Sequence, residues 1–181
     1  MTPDQSLLFQ RITEFPLDEG APELSFAARL AKDNGWRIGY ALRAIEEYRR
    51  FAFLMVASGH MAVPSDQVDQ VWHQHLLYTR SWAAFCGRVL GREIHHEPAR
   101  PGVEEGDRFR VGYEQTLESY RHFFGEFPED IWPVTAVRFG RDTHYERINK
   151  QANLVIPRDR CLQLGVTATV VLSSVFLVWM S

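Results

Sequence analysis

The residues with the most chemical potential in this chain lie between Val68 and His96, in the run VDQVWHQHLLYTRSWAAFCGRVLGREIHH. Four of the seven histidines fall here: His73, His75, His95 and His96. Imidazole is the commonest side-chain metal ligand, and a carboxylate often completes such a set. Asp69 precedes His73 by four residues, so on a helix the two share one face and can meet at a point. His95 or His96 joins them if the chain folds back. Two histidines and one carboxylate leave coordination positions open, as in catalytic zinc or non-haem iron sites. His75 is a weaker candidate. Two residues along a helix is about 200° of rotation, so His73 and His75 point to nearly opposite sides. His75 instead shares its face with Val68, Trp72, Thr79 and Trp82, which marks a core histidine. The plainer alternative is a surface Asp69–His73 pair, with His95 and His96 as loop residues bonded to backbone.

Other chemistry finds little support. Cys86 reads as a small buried apolar side chain rather than a nucleophile. The chain has no GxSxG elbow, no GxxxxGK[ST] phosphate loop, no HExxH and no CxxC. Glu46-Glu47 and Glu104-Glu105 read as solvated carboxylates, and the basic residues between Arg37 and Arg50 as a solvated helix face. With 20 basic and 23 acidic residues and a net charge of −3, the chain has no electrostatic footprint for nucleic acid. Two cysteines, Cys86 and Cys161, in unlike contexts do not form a disulfide framework.

The elements that must position these groups read as helices. Spacing predicts helices over residues 4–13 and 23–34, the second stopped by Gly35, and a long one over 38–58 ended by Gly59. Another long helix starts at Ser65, a good N-cap, and runs to Gly91. A loop follows with Pro98, Pro101 and Gly102, and then a helix over 104–124 ended by Gly125 and Pro128. Its stripe of Tyr113, Leu117, Tyr120 and Phe124 has the spacing of a core face. Residues 134–139 read as irregular or briefly extended. The expected fold is all-α, mainly a helical bundle. It divides into a soluble domain, 1–160, and a membrane anchor, 161–181.

That anchor rests on LQLGVTATVVLSSVFLVWM, residues 162–180, which holds no charge. At 1.5 Å per residue it spans about 28 Å, close to the hydrocarbon thickness of a bilayer. Trp179 suits an interfacial position, and Arg158 and Arg160 flank the other end. The positive-inside rule then places the main domain in the cytoplasm, with a single pass. The start, MTPDQSLLFQ, lacks the basic and apolar regions of a signal peptide.

Pro64 to Cys86, followed by GREIHHEP, resembles the glycine-rich domain-containing protein-like family, in its bacterial, uncharacterised type. RLAKDNGW, YRRFAFL, YEQTLESYRHFFGEFPEDIWP and ERINK resemble it too, so the likeness covers roughly 15–157. Its most specific element, Asp-x-x-Trp-His-x-His, falls on Asp69, Trp72, His73 and His75, and His95-His96 matches a later pair. The resemblance implies a shared feature and supplies no reaction. Two functions are consistent with these features. One is a membrane-held helical domain with a His/Asp site for a divalent metal such as zinc or iron. The other is a non-catalytic module that recruits a protein partner at the membrane.

Overall fold

The computed structural model describes residues 1–17, 25–96 and 103–140, the side chains of 103–105 excepted. All of these fall within a unit that runs Met1–His144. Among the described residues the regular structure is entirely helical.

Local signals set most helix ends. Helix α1 (Pro3–Glu14) opens on a capping box, in which Thr2 Oγ1 accepts from the Gln5 N–H and Gln5 Oε1 accepts from the Thr2 N–H. Helix α2 (Phe26–Asn34) starts later than its periodicity suggests, because Ser25 caps it, and it stops at Gly35 with φ 67°. Helix α3 (Ile38–Ala57) is the hub. Ala41, Ala44, Ile45, Tyr48, Phe51, Ala52 and Leu54 are buried along it, and it packs against α1, α2, α4 (Asp66–Leu77) and α6 (Val103–Phe124). The stripe Tyr113, Leu117 and Tyr120 on α6 faces inward, as its spacing predicts. One close approach matters: a Cβ on Gly112 of α6 would stand 2.8 Å from Val63 Cγ2, so the absence of a side chain there lets α6 meet the segment before α4. The Val63 N–H donates to Thr116 Oγ1 at 2.8 Å in the same seam.

Two expectations are corrected. The single helix expected from Ser65 to Gly91 is three pieces: α4, α5 (Thr79–Ala84) and a π-helical turn, Phe85–Leu90, closed by Gly91 at φ 69°. The break falls at Tyr78, with φ −87° and ψ 63°. No proline or glycine marks it. It is fixed by tertiary contact: the Tyr78 ring packs on Phe26 at 5.4 Å between centroids, and Ser81 turns back to His75. The second correction concerns residues 134–139, read as irregular or briefly extended, which hold a short helix, α7 (Thr135–Arg138). Pro133 has no N–H for a ladder, its carbonyl accepts from Tyr113 Oη at 2.7 Å, and Arg138 pairs with Asp66 at 2.8 Å.

Among the described residues no helix is long and apolar enough to cross a membrane. The expected span, 162–180, lies outside the described residues, as do Arg158, Arg160 and Cys161. The Glu104 and Glu105 side chains and Pro98, Pro101 and Gly102 lie outside them too.

Candidate metal centre

Ser65 begins the site. Its hydroxyl accepts from the Val68 N–H and fixes the first turn of α4, which carries Asp69. One turn later His73 follows on the same face, with Nδ1 3.6 Å from Asp69 Oδ2. Beyond the π-helical turn, Gly91 reverses the chain, and the segment after it returns to α4. There His96 Nε2 lies 3.0 Å from Asp69 Oδ1. The His73 and His96 rings are 4.5 Å apart between centroids, and the His96 ring stands edge-on to Trp72 at 4.3 Å. Donor atoms of Asp69, His73 and His96 all lie within 4.8 Å of one another.

That spacing fits a metal with a small closure. Ligand atoms at about 2.1 Å from a tetrahedral ion stand roughly 3.4 Å apart. The His96 and His73 nitrogens stand 3.0 and 3.6 Å from different oxygens of Asp69, and with one donor atom from each residue the set lies within 4.8 Å, so a bound ion would draw the three together. His73 is the most exposed of the three, with 49% of its side chain accessible against 19% for His96, so it has room to move inward. Trp72, next to His96, keeps a buried indole N–H with no hydrogen-bond partner among the described residues.

The structure therefore brings together three of the four leading candidates. His95 is not among them: its side chain is 78% exposed, and Nε2 lies 3.9 Å from Glu93. His75 sits on the other side of α4, as its spacing predicts, and is fully buried. Tyr48 Oη lies 2.7 Å from its Nδ1 and Ser81 Oγ 3.1 Å from its Nε2. Burial, with Arg49 nearby, lowers its pKa from 6.5 to about 4, so it is a neutral core imidazole. Burial likewise pushes the Tyr48 hydroxyl and the Cys86 thiol up, which leaves Cys86 protonated and a poor nucleophile.

A second polar cluster contradicts the reading of Glu46-Glu47 as two solvated carboxylates. Glu46 is exposed, but Glu47 is 4% exposed. Its Oε1 pairs with Arg50, and its Oε2 accepts from Tyr120 Oη at 2.8 Å and Trp132 Nε1 at 3.0 Å. The basic face of α3 is not simply solvated either. Arg49 donates to the Ile12 and Thr13 carbonyls and so caps the end of α1. A sequence signal for Glu47 existed: it lies three residues after Ala44 and four before Phe51, on the buried stripe of α3.

The described unit is thus an all-α domain with a compact His/Asp cluster. A family model described as UCP032817-like matches residues 37–108, a range that holds Asp69, His73 and His96. The chain is also similar to two proteins of Arabidopsis thaliana. Glycine-rich domain-containing protein 2 is 22% identical over 102 residues, covering 54% of this chain and 13% of the relative. Glycine-rich domain-containing protein 1 is 22% identical over 103 residues, covering 54% of this chain and 12% of the relative. The matched region thus spans about an eighth of the length of those curated relatives. No solved structure matches the chain. These matches support a glycine-rich-domain-like family, and the structure adds the all-helical fold.

Proposed function

We propose that this chain is a helical domain held at the cytoplasmic face of a membrane by residues 162–180, and that Asp69, His73 and His96 hold a divalent transition metal, zinc or iron. The observation that carries the metal reading is the convergence of one carboxylate and two imidazoles from two separate segments. A nitrogen-rich set of this kind suits zinc or ferrous iron better than calcium or magnesium, which prefer oxygen. When bound with three protein ligands, such an ion supplies an open position where water becomes markedly more acidic. Asp69 lies between the two imidazoles, facing His73 Nδ1 and His96 Nε2, and whichever nitrogens ligate would give up any proton to do so. His96 fixes the returning loop against α4. Trp72 packs edge-on against His96 and backs the site there. The runs RLAKDNGW and YEQTLESYRHFFGEFPEDIWP support placing the chain with the short bacterial type.

Elemental analysis of the purified full chain tests the metal. Stoichiometric zinc or iron is expected in the native protein. Asp69→Ala, His73→Ala and His96→Ala should each weaken binding by more than the ~10–100-fold that loss of an outer-shell partner costs. His95→Ala should leave it unchanged. Trace metal that none of these substitutions alters sinks the reading. The membrane placement rests on the uncharged length of 162–180 and the flanking Arg158 and Arg160. External protease on intact cells should spare the main domain and digest it only after the membrane is opened. Digestion in intact cells overturns the cytoplasmic assignment.

A further inference from the structure

Away from the histidines, α3 and the segment after α6 line a shallow, open cleft of about 470 Å³. It is lined by Arg43, Glu46, Glu47, Arg50, Glu126 and Phe127. The size suits a small organic ligand.

Arg50 is the best-organised group in it. Its Nη1 donates to Glu47 and, at 2.8 Å, to Tyr120 Oη. The guanidinium carbon lies 6.0 Å from the Tyr120 ring centroid and 5.8 Å from that of Phe124, within cation–π range. With two hydrogen bonds and two rings around it, the side chain has little rotamer freedom left to lose. Yet 38% of it is accessible, and among the described residues Nε and Nη2 have no acceptor. A guanidinium held by one nitrogen with its remaining edge unused is suited to a carboxylate. Arg43 does not compete, because both of its terminal nitrogens are taken by Asp130, at 2.9 and 2.7 Å.

The rest of the cleft selects among carboxylates. Glu46 and Glu126 are exposed at 61% and 89%, and each is only loosely paired, with Arg49 at 3.6 Å and Arg121 at 3.8 Å. With Glu47 they make the lining net negative despite two arginines. Phosphate or a simple dianion meets repulsion there, and a plain cation gains nothing from Arg50. A molecule with both charges uses both halves.

We infer that this cleft binds a small zwitterion of the amino-acid or dipeptide type, with its carboxylate on Arg50 and its ammonium on Glu46 and Glu126. This inference does not depend on the metal reading. The Trp132 indole N–H reports on the site from inside, since it donates to the carboxylate that also holds Arg50.

The test is a titration of the full chain, kept in mild detergent, with glycylglycine while the assigned Trp132 indole resonance is followed by NMR. Acetate, methylammonium and inorganic phosphate are titrated separately. A saturable millimolar shift is expected with glycylglycine and none with the three controls. The doubly substituted Glu46→Gln/Glu126→Gln chain, altered only at exposed carboxylates, should bind at least ~10-fold more weakly, about 1.4 kcal/mol. Arg50→Lys, which keeps the charge and loses the fork, should weaken binding too, with thermal unfolding as the check that it still folds. No shift by tens of millimolar overturns the inference. So does an equal shift with acetate, or unchanged binding in the double variant.

Discussion

Replacing Glu47 with alanine is expected to destabilise the domain by about 3–5 kcal/mol, the cost of removing one partner from a buried charged network. Three donors converge on this carboxylate: Arg50, Tyr120 Oη and Trp132 Nε1. Arg50 is partly exposed and can turn to water. The other two cannot, because Tyr120 is 1% and Trp132 0% exposed. Each then becomes a buried donor without an acceptor, at about 1–3 kcal/mol apiece. A void where the side chain stood adds to this. Against a typical total of about 5–15 kcal/mol, the loss is large enough to leave part of the population unfolded in water. Glu47→Gln should cost less, about 1–2 kcal/mol, since its amide oxygen still accepts from one of the two donors while the charge pairing with Arg50 goes. Glu46→Ala, next to it and exposed, should fall within about 0.5 kcal/mol of the native protein. Urea unfolding followed by circular dichroism measures all three. If Glu47→Ala matches Glu46→Ala, the buried network has no energetic weight.

This contrast between adjacent glutamates shows where sequence reading runs out. Ser65, Gly35, Gly59, Gly91 and Gly125 announce helix ends through local chemistry, and the helices begin or end at or beside them. Asp69 and His73 are legible for the same reason, as an i,i+4 pair on one helix. The choice of His96 over His95 is not local. It depends on the path of the chain after Gly91, and a turn of one residue would exchange them. Glu47 meets Tyr120 and Trp132 across 73 and 85 positions of sequence, so only the folded chain makes those contacts visible. The break at Tyr78 belongs to the same class. Its residues suit a helix, and the packing of Phe26 and His75 overrides them.

The second large effect is one of pH, and it resides in His75. In the folded chain this imidazole is held neutral down to about pH 4, against 6.5 in the open chain. Between those values the unfolded state takes up a proton that the folded state refuses. Stability therefore rises with pH across this window: it is fully present above about 6.5 and is lost as pH falls toward 4. The full span corresponds to roughly 3 kcal/mol at 1.36 kcal/mol per unit. Among the described residues no carboxylate pairs with the ring to offset protonation. Arg49 repels it, burial keeps the Tyr48 hydroxyl and the Cys86 thiol neutral, and Phe26, Trp82 and Phe85 close the remaining sides. Carboxylates elsewhere also titrate in acid, so the measurement that isolates His75 is a difference. Urea unfolding of the metal-free protein is compared with that of His75→Gln from pH 7 to pH 4. Gln retains a donor and an acceptor for Tyr48 and Ser81 but does not titrate. At neutral pH the variant should be the less stable, through imperfect packing. As pH falls the native protein should lose its advantage by roughly 3 kcal/mol relative to the variant. Parallel curves would mean that the imidazole takes its proton without leaving the core. That outcome requires both hydroxyl oxygens, Tyr48 Oη and Ser81 Oγ, to accept from the imidazolium, so the one that now donates to the ring must turn its proton to another acceptor.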